Sequence, residues 1–142
     1  MRMKLIIGSA LLLLTCSCHQ KTIGYLLTED AGYLPDTMVI RKTLDPKLDS
    51  IRIESRAPWV SLAMQGYEGT ELIVFSIENV TSTAGEEAIR YFKENLSIRG
   101  AGTMLFPIDN DAVPGRYVVS VRLTNPGYTQ VVNNAFTFVV EP

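Results

Sequence analysis

Nucleophilic hydrolysis by serine or cysteine needs a base to take the proton of the attacking group. This chain of 142 residues has one histidine, His19, and two cysteines, Cys16 and Cys18. All three come directly after an N-terminal apolar run, Leu5 to Leu14, and before everything that reads as folded. A His–Asp or His–Cys constellation, or a metal site built on imidazole or thiolate, therefore has nothing to draw on in the body of the chain. Paired carboxylates could run glycoside hydrolysis, and Asp109 and Asp111 are close in sequence. They sit in Asp109-Asn110-Asp111-Ala112-Val113-Pro114-Gly115, which is turn composition throughout. Side chains two apart in a turn do not oppose each other across the roughly 5–9 Å that glycosidase carboxyls need. The same residues could offer hard oxygens to a weak calcium site, but no bidentate Glu follows at loop spacing, and a solvated turn is the simpler reading. Gly100-Ala101-Gly102 lacks the lysine and following helix of a phosphate loop and reads as a tight turn or bulge leading into Met104 to Ile108. The expectation is a non-enzyme, with no catalytic residues, no metal and no cofactor.

Binding chemistry is better represented. A sugar stacks its apolar face on an aromatic ring while its hydroxyls find polar neighbours, so exposed rings are the feature to seek. Tyr67 in Gln65-Gly66-Tyr67-Glu68-Gly69 and Tyr128 in Asn125-Pro126-Gly127-Tyr128 fall on loop tips, where no packing demand calls for an aromatic. Trp59 in Arg56-Ala57-Pro58-Trp59-Val60-Ser61 is the third candidate, although a sole tryptophan at a strand start is more often core. If Tyr67, Tyr128 and Trp59 share one exposed face, glycan binding is favoured. A bare, apolar, proline-free edge strand would instead favour pairing with a protein partner.

These residues must be positioned by short β-rich runs separated by turn residues: Thr37 to Lys42, Leu48 to Ser55, Glu71 to Val80, Met104 to Ile108, Arg116 to Asn125 and Ala135 to Glu141. In Arg116 to Asn125, Tyr117, Val119, Val121 and Leu123 point one way and Arg116, Ser120 and Arg122 the other, the period of a half-buried antiparallel strand. Phe136, Phe138 and Val140 repeat the alternation. One segment dissents: Thr83-x-x-Glu86 has the form of a capping box, with Ala88, Ile89 and Phe92 following at helical spacing, and predicts one short helix capping an open end. The fold class expected is all-β, an antiparallel β-sandwich with one short helix or helical turn. Residues 36–142 form the domain, and residues 18–35, polar and without sustained period, read as a tether with an edge strand near Tyr25 to Thr28.

The first 17 residues read as a leader. Arg2 and Lys4 precede an apolar run of ten, too short for the ~20 residues of a membrane-spanning helix but within the 7–15 of a secretory signal. Removing those two cations from 13 leaves 11 basic against 15 acidic residues, a net charge of −4, which argues against a nucleic-acid surface. Leu14-Thr15-Cys16-Ser17-Cys18 resembles the lipobox of bacterial lipoproteins. Cys18, preceded by the small Ser17, is preferred over Cys16, preceded by Thr15; a plain secretory signal with incidental cysteines is the alternative. The resemblance implies a diacylglycerol on Cys18 and attachment to the membrane through that anchor. No cysteine then remains for a disulfide.

Pro114-Gly115-Arg116-Tyr117 leading into a strand resembles the tyrosine corner of immunoglobulin-like domains, in which a phenol bonds back to the preceding turn. Together with Gly102 to Ile108 and Asn133 to Val140, it is similar to the closing strands of the Ig-like domains of Bacteroidetes cell-envelope lipoproteins, many of them associated with glycan uptake. That resemblance implies an outer-membrane, lipid-anchored binding or scaffolding module, accessory to glycan capture. The alternative is a structural or adhesin-like envelope component that pairs with protein partners. Surface-exported lipoproteins of this group carry acidic residues after the lipidated cysteine, whereas His19-Gln20-Lys21-Thr22 has none, which favours the periplasmic face and leaves the surface face open. Asp36-Thr37-Met38 and Asp49-Ser50-Ile51 look like acceptor tripeptides of the O-glycosylation system of exported Bacteroidetes proteins. Their use requires Thr37 and Ser50 to lie on an accessible edge.

Overall fold

The computed structural model describes residues 24–142. The signal segment, the lipidation candidate Cys18 and His19 lie outside the described residues. Nine strands and two helices follow in the order β1 (Leu26–Leu27), β2 (Thr37–Arg41), α1 (Ser50–Ser55), β3 (Trp59–Val60), β4 (Glu68–Gly69), β5 (Val74–Ser82), α2 (Glu86–Asn95), β6 (Ser97–Arg99), β7 (Thr103–Phe106), β8 (Gly115–Asn125) and β9 (Tyr128–Glu141). They form a four-stranded sheet in the order β2-β9-β8-β5, a three-stranded sheet β3-β7-β6 and a two-stranded ribbon β1-β4. The architecture is β-rich, as the alternating runs predict. Two corrections apply to its details: β2 lies parallel to β9, so the larger sheet is mixed rather than antiparallel, and the described residues of the domain hold two helices rather than one.

The alternation in β8 places Tyr117, Val119, Val121 and Leu123 fully in the core, where they face Phe136, Phe138 and Val140 of β9. Ser120 interrupts the pattern. It is buried because β9 bulges opposite it between the pairs Val119–Phe136 and Val121–Val132, and its hydroxyl accepts the N–H of Asn134, a residue with φ of 51°. On the other side, Glu78 is the extra residue of a bulge in β5, from which it meets Arg122 in a two-pronged ion pair at 2.6 and 2.8 Å.

The dissenting helical segment is α2, but its role differs from the one expected. Thr83 makes no cap: Gly85 occupies the cap position, while the Ser82 hydroxyl accepts the N–H of Ala84. Phe92 lies at the centre of the core rather than over an end, its ring between Phe106 of β7 at 4.5 Å and Tyr117 of β8 at 4.2 Å, both near-parallel. The Tyr117 hydroxyl donates to the Val113 carbonyl at 2.6 Å, the bond back to the turn that its position suggested. Burial pushes that phenol above its usual range.

Leu48 to Ser55 is the clearest misreading: it contains α1, not a strand. Asp45-Pro46 starts a turn that leads into α1, closed by the Asp49 N–H on the Asp45 carbonyl at 2.8 Å, with the Asp45 carboxylate accepting the N–H groups of Lys47 and Leu48. Ile51 and Ile53, the isoleucines of that run, are exposed. What holds the segment is Asp49, wholly buried, which receives Arg41 in a two-pronged pair at 2.6 and 2.8 Å and the N–H of Asp45 at 2.8 Å. The boundary at residue 36 also moves. Leu26 and Tyr33 are core residues, so the stretch from residue 24 belongs to the fold rather than to a tether.

The Arg41 guanidinium beside Asp49 draws its carboxyl down from the ordinary 3.8 to about 2. The ionised form is favoured in the fold, so this stabilisation is complete above about pH 4 and is lost as pH falls from 3.8 through about 2. Asp49→Asn is expected to cost roughly 2 kcal/mol at neutral pH and to flatten the acid limb of the stability curve, read by denaturant unfolding between pH 7 and pH 2.

Candidate functional site

The segments 24–34 and 64–70 lie side by side as a ribbon. Leu26 pairs with Gly69 and Leu27 with Glu68. Further along, Gly32 and Gln65 exchange two backbone hydrogen bonds at 2.9 and 2.8 Å. Between these rungs the chain turns through Thr28 to Ala31 and presses the Asp30 carbonyl onto Gly66. Only glycine fits there: φ is +81°, and a Cβ would stand 2.0 Å from the Asp30 oxygen.

The ribbon is fixed to the body at three places. Tyr33 donates its hydroxyl to the Gly102 carbonyl at 2.6 Å and sets its ring edge-on to Phe136. Met64 N–H donates to the Ala101 carbonyl in the same Gly100 to Gly102 turn, which is a tight turn as its glycines indicated. At the other end the Asn125 amide donates to the carbonyls of Tyr25 and Thr70, at 2.9 and 3.1 Å.

Two shallow cavities flank the Asp30–Gly66 contact. One, of about 330 Å³, is lined by Leu27, Glu29, Asp30, Gly66, Tyr67 and Glu68. The other, of about 320 Å³, continues past Asp30 and Gly66 to Gly32, Tyr33, Leu34 and Gln65. Tyr67 packs edge-on to Phe75 at 5.1 Å, which holds its ring in one orientation while it lines the first cavity. A fixed ring and an aliphatic side chain beside three carboxylate side chains offer stacking and hydrogen-bond acceptance. Among the described residues, no cluster of three His, Cys, Asp or Glu side chains could hold a metal ion.

The three aromatic candidates separate. Tyr67 stands in this groove, and Tyr128, 37% exposed, sits opposite Asn125 at the same end of the molecule. Trp59 is 2% exposed and beyond the reach of any ligand. It pairs with Phe106, and the guanidinium groups of Arg52 and Arg41 cover its ring at 4.1 and 5.6 Å. Arg41 faces Glu141 at the end of β9, whereas Tyr128 begins that strand, so Trp59, beneath Arg41, lies away from the end that carries Tyr128.

Thr37 is exposed at the start of the edge strand β2 and donates to the Asp36 carboxylate at 3.2 Å. Ser50, by contrast, is exposed on the first turn of α1, not on an edge strand, and its neighbour Asp49 is sequestered by Arg41. Asp109 is taken by Arg56, and the Asn110 amide closes its own turn on the Pro107 carbonyl, so these oxygens do not converge on a cation site. Sequence reasoning missed Leu27, Glu29, Asp30 and Glu68. No local signal joins Leu27, Glu29 and Asp30 to Tyr67, because they meet it through the Gly32–Gln65 pairing of segments distant in the chain.

No protein-family model, curated protein or solved structure matches the chain. Gly66→Ala is expected to cost about 1–3 kcal/mol and to speed amide exchange at Gly32 and Gln65 ahead of the β8–β9 core, measured by native-state hydrogen exchange.

Proposed function

We propose that the chain is a non-catalytic lipoprotein of the bacterial outer membrane, anchored through Cys18 on the periplasmic face, whose β domain is an immunoglobulin-like sandwich that captures glycan in the Tyr67 groove. The sandwich reading is supported by the single core shared between the two larger sheets and by the tyrosine hydroxyl bonded to the turn before β8. The observation that carries the binding reading is the Tyr67 ring, held by Phe75 beside Leu27, Glu29, Asp30 and Glu68 in a groove of about 330 Å³. That volume is at the small end of the ~300–1,000 Å³ of small-ligand sites and suits one or two sugar units of a longer chain.

The test is retention of the full-length protein on affinity gels of neutral polysaccharides. Tyr67→Ala is expected to weaken retention about tenfold, since losing a stacked ring costs on the order of 1.4 kcal/mol. Absence of retention on every polysaccharide, or retention unchanged by Tyr67→Ala, overturns the reading.

A specific observation favours the second reading, pairing with an envelope protein. The parallel ladder, in which Thr137 N–H donates to Asp36 O and Lys42 N–H to Glu141 O, turns the backbone groups of Met38 and Ile40 toward β9. Those of Thr37, Val39 and Arg41 face the open edge, with which no described strand pairs. Val39→Pro removes an outward N–H without touching the β9 ladder. If strand addition is the function, Val39→Pro abolishes co-purification of the partner and leaves glycan retention unaltered.

A further inference from the structure

Among the described residues, the end of the molecule at Gly24 carries no Lys or Arg and exposes several large apolar side chains. Asn125 ties the segments of Tyr25 and Thr70 to the tip of the β8–β9 hairpin through its two amide hydrogen bonds. Tyr128 stands opposite Asn125, and Val74 is opposite Thr124 one strand over. Four large side chains are left in solvent around this junction: Tyr25, Leu72, Val74 and Tyr128, with Leu72 77% exposed. The stretches that make the tip, residues 24–35, 62–74 and 125–130, contain no Lys or Arg, while Glu68 and Glu71 are exposed beside it. Nothing in the fold requires these side chains to be apolar.

The chain itself says what meets them. Gly24 is six residues after Cys18, and six residues extend at most about 20 Å. A diacylglycerol on Cys18 therefore keeps Gly24, and this end of the domain with it, within about 20 Å of a bilayer surface. We infer that the Tyr25–Leu72–Val74–Tyr128 tip rests in the interfacial region of the membrane that carries the anchor, an inference that depends on the Cys18 reading.

Leucine and valine insert below the headgroups, while tyrosines place an apolar ring inward and a hydroxyl at the polar boundary. On zwitterionic lipid the strength of the contact comes from apolar burial, so it is insensitive to salt there. The groove at Tyr67 then opens just above the headgroups, and the glycan it meets is one held close to the bilayer. The opposite end, where β9 finishes beside Arg41 and α1, projects away from the bilayer.

The test uses the full-length lipidated protein in zwitterionic vesicles whose acyl chains carry bromine as a contact quencher. An environment-sensitive fluorophore is placed through Leu72→Cys, through Val74→Cys and, at the far end, through Leu48→Cys, all exposed positions that tolerate a label. The labels at 72 and 74 are expected to be quenched several-fold more than the label at 48, with no change on raising salt. Equal, weak quenching at all three positions in protein that floats with the vesicles overturns the tip contact while leaving the anchor standing. The same holds if the tip labels report self-association of the protein instead. Failure of the protein to float with vesicles overturns the anchor and this inference together.

Discussion

The ring of Phe92 is the contact on which the rest depends. It lies between Phe106 and Tyr117 and touches Phe138, so one side chain from α2 joins the three-stranded sheet to two strands of the four-stranded sheet. Near-parallel rings at 4.2 and 4.5 Å are in face-to-face contact, and dispersion over three large surfaces makes their separation costly. The hydroxyl of Tyr117, bonded to the Val113 carbonyl, fixes the stack at one side. The helix is thus the joint through which the chain passes from β5 to β6.

From that joint the groove follows by a short sequence of constraints. Phe106 sets β7, and β7 sets the Gly100 to Gly102 turn, whose carbonyls hold Met64 and Tyr33. Those two residues begin the pairing of segments 24–34 and 64–70 that closes on Asp30 and Gly66. Because the groove is formed by backbone rungs on a fixed turn, it exists before any ligand arrives, which lowers the ordering cost of binding. The far end is closed differently, by the buried Asp49 between Arg41 and Arg52 and by the tryptophan beneath them. That cluster stabilises the protein and closes Trp59 off from solvent.

The sequence made the strands legible where one face is buried and the other wet, as in β8 and the second half of β9, because a period of two leaves little room for another structure. It failed where short-range polar bonding outweighed the apolar pattern. Ile51 and Ile53 alternate like a strand, but Asp45, Pro46 and Asp49 commit the backbone to a helical turn. The parallel placement of β2 was not legible, since alternation is the same in either direction. Tyr67 could be found from its loop context. Its partners could not, because they reach it through the Gly32–Gln65 pairing of segments some thirty residues apart, and no local pattern announces such a pairing. The N-terminal stretch looked like a tether for the same reason: Tyr33 joins the core through a bond to Gly102, sixty-nine positions away.

The central claim is that the Tyr67 groove is the binding surface of the domain. It is tested most directly by following the backbone amide resonances of the isotopically labelled protein while a neutral oligosaccharide is added. The account predicts shifts concentrated at Leu27, Glu29, Asp30, Gly66, Tyr67 and Glu68, with β2 and the Trp59 cluster unmoved. Shifts centred on Thr37 to Arg41, or none at any saccharide concentration, would contradict it.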